Sequence, residues 1–327
     1  NTQRIFGRNK FYVKNTAVIE KLADITSIVF DKTGTLTETM KSQIKYEGKT
    51  LTSEEESIIK ALVLNSSHPL SIKIAFSLQT NTRFDVGDYK EIIGEGISGT
   101  VNGKRIKVGS QSFTSSKNAL NSDNNSTNVF VSIDEKEIGF FKIINVYRFG
   151  LKEIVNSLIS NYKMFVLSGD NDGERENLMN IFPDENTLHF KQSPHDKLNF
   201  ISSLQDKHEK VLMIGDGLND AGALVKSDVG ISISEDINNF SPACDGIMDA
   251  KSFKKIKEFI NFSRTSKKII IISFIISFIY NLIGIGFAVQ GLLSPVVSAV
   301  LMPISSISIV VFTTLATNLM AKKRNLL

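Results

Sequence analysis

Several short clusters in this chain set a carboxylate, a hydroxyl or an ammonium at the end of an apolar run. Ser27-Ile28-Val29-Phe30 leads into Asp31-Lys32-Thr33-Gly34, and Met164-Phe165-Val166-Leu167 into Ser168-Gly169-Asp170. Lys197 follows Ser193-Pro194, while Val211-Leu212-Met213-Ile214 leads into Gly215-Asp216-Gly217 with Asp220 beyond. A carboxylate directly after a buried strand, with Lys, Thr and Gly behind it, is placed to attack phosphorus. Phosphoryl transfer then needs a divalent cation, donors for the phosphoryl oxygens and a positive charge against the developing negative one. The Ser168 hydroxyl, the Lys197 ammonium and the Asp216 and Asp220 carboxylates supply those parts. Two Asp side chains suit Mg2+, which takes a few hard oxygens and completes its shell with water and phosphate. A single Asp after a strand is ordinarily a turn or a helix cap; four such elements in order, each at a strand end, are not.

The elements that must carry these residues are short. Apolar, often β-branched runs, including Val229 to Ile233 before Ser234-Glu235-Asp236, alternate with segments of helical spacing such as Leu151, Ile154, Val155, Leu158 and Ile159. The alternation predicts an α/β fold, a parallel sheet with helices on both faces. Ligands of such sheets gather at the carboxyl ends of the strands, where these polar clusters fall. Residues 40–140 interrupt the pattern and read as an inserted α+β domain. There Ser53 and Glu56 make a capping box for a helix carrying Ile58, Ile59, Leu62 and Val63. Asn102-Gly103 joins strands at 97–101 and 104–108. Asn121 to Asn128 is a polar loop, and 129–133 with 138–144 form another antiparallel pair.

The 327 residues are 42% hydrophobic and 22% charged, with a formal net charge of +4 that is unevenly distributed. No Asp, Glu, Lys or Arg occurs from Ile269 to Ala321, whereas residues 1–268 hold all 34 acids and 35 of the 38 bases. That nearly neutral part argues against a nucleic-acid partner. The uncharged run exceeds one helix of about 20 residues and suits two spans of the lipid bilayer, 269–289 and 292–320, with a turn at Gln290-Gly291. Lys267-Lys268 before it and Lys322-Lys323-Arg324 after it put both ends, and the catalytic part, on the cytoplasmic side. A buried core hairpin is the alternative reading. Cys244 is the single cysteine, which excludes an intramolecular disulfide and a Cys-rich metal site. The start, Asn-Thr-Gln-Arg, has no initiator Met and no basic-then-apolar stretch, so a fragment lacking a signal peptide and an upstream span is expected.

DKTGTLT at 31–37, SGD at 168–170, SPHDK at 193–197 and GDGLNDAGAL at 215–224 closely resemble the phosphorylation domain of P-type ATPases, within the haloacid dehalogenase superfamily. The resemblance covers essentially the whole chain. It implies a haloacid-dehalogenase-like parallel sheet in 23–39 and 141–252 and a nucleotide-binding domain in 40–140. Residues 253–268 become a connecting helix, and 1–22 a linker from a membrane span upstream. It further implies that Asp31 is phosphorylated by ATP, that Lys32, Thr33, Ser168, Gly169, Asp170 and Lys197 act with it, and that Mg2+ sits at Asp31, Thr33, Asp216 and Asp220. Ser168 replaces the family's usual Thr and keeps the hydroxyl. His68-Pro69 in SSHPL resembles the His-Pro motif of the heavy-metal subclass, where the His lies beside adenine. Gly94-Glu95-Gly96 matches that pocket's glycine-rich strip, so His68, Pro69, Gly94 and Gly96 are the expected nucleotide contacts. Taken alone, a His before Pro at a helix start is a capping residue. Ser67 stands where many members have Glu, and Asn145 where they often have an Asp three residues before an Arg, here Arg148.

Tyr280-Asn281 in the first span and Met302 with Ser305-Ser306 in the second resemble the copper-transporting members, with Tyr280, Asn281, Met302 and Ser306 as contacts of the ion. Each alone fits helix packing or interhelical hydrogen bonding. A thioether is a soft ligand suited to Cu(I), whereas pumps for hard or divalent cations carry a carboxylate or Lys in these spans. Pro303 is expected to kink its helix. The family's Cys-Pro-Cys motif and Thr-Gly-Glu loop do not occur here, which implies the C-terminal half of a pump with its N-terminal half missing. The resemblance therefore implies ATP-driven transport of Cu(I), or Ag(I), by a multi-pass protein of the cell or bacterial inner membrane, with a copper chaperone as partner. Three rivals stand beside it. One is a pump for Zn, Cd or Co. Another is a membrane-tethered phosphatase of the haloacid dehalogenase type, which would carry a second Asp where Thr33 stands. The third is a truncated nucleotide-binding protein that does not pump.

Overall fold

A computed structural model describes residues 1–38, 43–80, 84–92, 94–114, 127–170, 172–217, 220–235, 244–291 and 294–327. The strands, numbered along the chain, are β1 Phe11–Val13, β2 Ser27–Asp31, β3 Gln43–Gly48, β4 Val86–Ile92, β5 Gly96–Val101, β6 Lys104–Gly109, β7 Thr127–Ile133, β8 Lys136–Ile144, β9 Lys163–Leu167, β10 Leu188–His189, β11 Val211–Gly215, β12 Val229–Ser234 and β13 Gly246–Asp249. They fall in two compact units, Asn1–Leu36 with Phe149–Gly169 and Asp184–Leu327, and Thr37–Arg148 with Asp170–Pro183.

The first unit is built on a sheet in the order β1-β13-β12-β11-β2-β9-β10. Its pairs are parallel except β1 with β13. Every residue of β2 and β11 is buried, as expected of strands covered on both faces. Alternation sends Val29 to one side, into a cluster with Ile201 and Leu204 of the helix Pro194–Asp206 and with Ala223 and Leu224 of the helix Ala221–Lys226. Phe30 goes to the other side and meets Phe253 edge-on at 6.3 Å. Leu151, Ile154, Val155 and Leu158 are the buried stripe of the helix Leu151–Leu158, as their spacing requires. At the amino ends of the strands Glu209 accepts hydrogen bonds from Ser27 at 2.8 Å, from Thr26 and from Lys163, tying β2 and β9 to the approach to β11. Cys244 is a partly buried neighbour of the apolar cluster, and burial pushes its thiol up, as befits a packing residue.

Residues 1–22, expected as a linker, are structured. Helices Thr2–Arg8 and Thr16–Ala23 flank edge strand β1. Phe6, Phe11 and Phe259 form an aromatic cluster with centroids 5.0 to 5.1 Å apart. The burial of that ring cluster outweighs the polar composition around it.

The second unit is a six-stranded antiparallel sheet, β3-β8-β7-β6-β5-β4, with helices Ser53–Val63 and Pro69–Ser77 packed into its core. The predicted helix face, Ile58, Ile59, Leu62 and Val63, is fully buried. Its capping box is one residue earlier than expected and joins Thr52 to Glu55 instead of Ser53 to Glu56. Both pairs fit the spacing, and the Lys49 ammonium 3.2 Å from Glu55 favours the observed one. Asn102 and Gly103 turn between β5 and β6 with φ of 50° and 73°, the two-residue hairpin predicted. Of the expected loop Asn121 to Asn128, residues 121–126 lie outside the described residues, and Thr127 and Asn128 open β7. The unit is wider than the expected insertion because β3–β8 pairing runs to Gln43 and Ile144 and Thr37 bridges Tyr147 beyond it. Asp170–Pro183 joins through buried Glu174, which accepts from Asn145 Nδ2 at 3.1 Å and the Tyr147 hydroxyl at 3.4 Å. Asn145 is thus the amide donor to a buried carboxylate, a place where a second acid would repel it.

Among the described residues, two helices are long and apolar enough to cross a membrane. The expected connecting helix is not separate: Ala250–Lys255 forms one tight helical stretch, and Ile256–Val289 then runs on as a single helix. The second helix is Pro295–Lys323, with Pro303 inside it. Phe274 and Phe278 are about 70% exposed, so the run is not a protein-buried core hairpin.

Candidate active site

Asp31 closes β2, beside Leu167 of β9, while Phe30 pairs Ile214 of β11. The chain then leaves the sheet through a tight turn, Lys32–Leu36, in which Gly34 adopts φ of 77°, a conformation costly for a residue with a Cβ. Ser168 follows Leu167, is buried, and is pinned by its backbone: its N–H donates to His189 O and its carbonyl accepts from Gln192 N, both at 2.9 Å. Asp216 follows β11 in the same way.

Lys197 enters from the helix Pro194–Asp206. The Ser193 hydroxyl accepts the Asp196 N–H and the Asp196 carboxylate accepts the Ser193 N–H, with Pro194 in the first turn. The SPHDK sequence is therefore a helix start that fixes where its lysine points. Lys197 Nζ donates to Asp31 Oδ1 at 2.5 Å and to Asp220 Oδ1 at 2.7 Å. The three residues are 5%, 4% and 1% exposed, so the contact is desolvated. Two carboxylates around one ammonium leave a buried excess of negative charge. Burial, then the Asp220 charge, push Asp31 up to about 8 against the pull of Lys197, and Asp216 adds to the rise. Burial also lifts Asp220. On Lys197 burial works against the ammonium, but Asp31 and Asp220 outweigh it and hold the pKa up.

Asp220 Oδ2 is buried and has no hydrogen-bond partner among the described residues. A Cβ on Gly215 would lie 2.8 Å from it, so this glycine makes the room that Asp220 occupies. The excess negative charge, the orphaned oxygen and an all-oxygen donor set fit Mg2+. No cluster of three His, Cys, Asp or Glu side chains close enough to hold a metal occurs among the described residues. That is compatible with an ion that takes only part of its shell from protein. Leu218 and Asn219 of the GDGLNDAGAL motif, like Asp236, lie outside the described residues.

The division between units falls after Gly169, and Asp170 belongs to the second. There a pocket of about 350 Å³ is lined by His68, Gly94, Gly96 and Asp170, together with Ser66 and Glu91, which the sequence reading missed. His68 caps the helix Pro69–Ser77, its Nδ1 accepting the Leu70 N–H at 3.2 Å, with Pro69 in the first turn. The capping role and the place in the pocket coexist. A Cβ on Gly96 would lie 2.4 Å from Val108 O, so β5 and β6 approach each other only because this residue has none. In the two long apolar helices the Tyr280 hydroxyl donates to Leu301 O at 2.9 Å, an interhelical bond one residue before Met302. Asn281 and Ser306 are exposed on their helices, and the Met302 side chain lies outside the described residues.

A buried carboxylate at the end of a central parallel strand, met by a lysine from a neighbouring helix and by further carboxylates beyond the next strand, defines a class. Residues 25–228 match the model of the haloacid dehalogenase-like hydrolases, and the chain belongs to that family. Among its relatives, a P-type ATPase A of Enterococcus hirae named as copper-importing is 28% identical over 92% of this chain and 43% of its own length. The copper-exporting P-type ATPase of Staphylococcus saprophyticus is 28% identical over 92% of this chain and 39% of its own. That of Mycobacterium tuberculosis is 26% identical over 91% and 40%. The chain thus spans about two fifths of the length of these relatives. The solved catalytic domain of the CPx-ATPase CopB-B superposes with a TM-score of 0.60 at 28% identity, covering 79% of this chain and 98% of that one. A zinc-transporting PIB-type ATPase in an E2.Pi state shares the fold at a TM-score of 0.62 and 21% identity, over 99% of this chain and 53% of its own.

Proposed function

We propose that the chain is the phosphorylation, nucleotide-binding and terminal membrane part of an ATP-driven heavy-metal pump that moves Cu(I), or the chemically similar Ag(I). The observation that carries this reading is the buried contact of Lys197 with Asp31 and Asp220 at the strand ends. The Asp31 carboxylate attacks the γ-phosphorus of ATP. A C–O–P link forms as the bond from that phosphorus to the β–γ bridging oxygen breaks, and ADP leaves with the electron pair. Lys197 balances the charge on the phosphoryl group, and the Ser168 hydroxyl donates to one of its oxygens. Asp31, Thr33, Asp216 and Asp220 would hold Mg2+, which when bound supplies neutralising charge to the phosphate. Two residues after the nucleophile stands Thr33, not an acid, so this position has no acid/base group to speed hydrolysis, which favours a lasting phosphoaspartate over a phosphatase. The pocket around His68, Gly94 and Gly96 would present the nucleotide.

Three features support copper: the names of the relatives, two spans without a charged residue, and a soft thioether in the sequence of the second span, at Met302. In this reading the protein is multi-pass and its catalytic units are cytoplasmic, with a copper chaperone and the N-terminal half of the pump as partners. Asp31→Asn in the complete pump abolishes the acid-stable phosphoenzyme formed from γ-labelled ATP; labelling that persists sinks the assignment. ATPase activity is stimulated by Cu(I) and not by Zn2+ or Co2+. Stimulation by Zn2+ alone overturns the ion while leaving Asp31 in place.

A further inference from the structure

The pocket of the second unit holds a carboxylate for which the reading above has no task. Glu91 lines it from β4, and both its oxygens are tethered. Oε1 accepts from the Ser66 hydroxyl at 3.0 Å and Oε2 from the Tyr89 hydroxyl at 2.9 Å. Ser66 is buried, and its oxygen also accepts the His68 backbone N–H at 3.1 Å. One hydroxyl therefore links the carboxylate to the residue that carries the imidazole. That ring is oriented too, since its Nδ1 is engaged by the Leu70 N–H, which leaves the proton on Nε2.

Charge decides which end of a nucleotide such a pocket receives. Glu91, Glu95 and Asp170 line it, and no Lys or Arg is among its described lining residues. A triphosphate is repelled by that lining, whereas a neutral base is not. A planar base set against His68 turns its edge toward the neighbouring carboxylate. Ionised carboxylates only accept, so the edge that fits carries an N–H donor, and each Glu91 oxygen keeps a lone pair beyond the hydroxyl it already serves.

We propose that Glu91 is the specificity-determining acceptor for the exocyclic amino group of adenine, with Ser66 and Tyr89 as its positioning residues. The proposal rests on the reading of this pocket as the nucleotide site. The test uses the full chain in detergent, with calorimetric binding of ATP and of purine riboside 5′-triphosphate, which lacks only the amino group. The wild-type chain binds ATP about tenfold more tightly than the analogue, the size of one charge-assisted hydrogen bond. Glu91→Ala binds the two alike, and the isosteric Glu91→Gln narrows the preference to about threefold. Glu91 is exposed, so neither change disturbs the core. Ser66→Ala and Tyr89→Phe keep the carboxylate but loosen it, and give intermediate ratios. A preference unchanged in both Glu91 variants overturns the role of Glu91 and leaves the pocket a nucleotide site. Failure of the wild-type chain to bind either compound overturns the nucleotide reading itself.

Discussion

At Asp31 one lysine ammonium touches two carboxylates with almost no access to water. In the pocket of the second unit the carboxylates line an open cleft, and its shape is made by backbone brought close at a glycine. In the first place two carboxylates depend on contact with one ammonium, so removing the lysine strands both. In the second, the shape of the cleft depends on where the backbone lies, so adding atoms at the glycine distorts it. The two sites thus have opposite weaknesses, one to deletion of charge and the other to addition of volume.

The largest effect comes from breaking the first balance. Lys197→Met leaves Asp31 and Asp220 buried together without a cation. Denaturant unfolding is expected to show a loss of about 3–5 kcal/mol, with no phosphoenzyme formed. Adding Asp31→Asn to it regains most of the stability and none of the labelling; a double variant as unstable as the single one contradicts the charge argument.

Next comes the same small substitution made in both sites. Gly96→Ala drives a methyl into the Val108 carbonyl oxygen and Gly109 Cα, 2.4 and 2.6 Å away, and backbone cannot step aside. It is expected to cost about 1–3 kcal/mol and to abolish ATP binding in a calorimetric titration. Gly215→Ala instead meets the carboxylate end of the Asp220 side chain rather than backbone. Stability there should change by less than about 1 kcal/mol, while phosphorylation falls about tenfold or more through the displaced carboxylate. If the two variants lose stability equally, the contrast between the sites is wrong.

The smallest effect lies away from both sites, at Glu209. Its hydrogen bonds from Lys163 and then Thr26 push its pKa down to about 2, below the 4.5 of an unperturbed Glu. It therefore adds stability above about pH 4.5 that fades as the pH falls toward 2. Glu209→Gln should be less stable by about 1 kcal/mol at pH 7 and equal to wild type near pH 2 in thermal melts. A gap that stays constant with pH would mean that the carboxylate charge contributes nothing.

What could be read from the sequence follows from how local the signal is. Asp31, Ser168 and Asp216 were legible because an apolar run that stops at a polar residue marks the end of a buried strand. Asn102-Gly103 was legible because a two-residue turn needs positive φ. Edge strand β1 and the two-residue β10 were not, since so few residues carry no period. The capping box slipped by one residue because Thr52 and Ser53 both satisfy the same spacing. Glu91 escaped notice because its partner Ser66 is 25 residues away in the loop between two helices, and an acid in a polar strand has no distinguishing pattern. Glu174 and Asn145 are separated by 29 residues for the same reason.

The helix that begins at Ile256 is clamped near its base by Phe6 and Phe11 around Phe259, and it continues to Val289 as one rod of 34 residues. At about 1.5 Å per residue it is about 50 Å long. A tilt of about 5° imposed at the clamp therefore carries the far end about 4 Å sideways on geometry alone. In mechanical terms the base is a fulcrum, and the gain is set by the length of the arm, so a small tilt at the base would reach the far end of the helix already amplified.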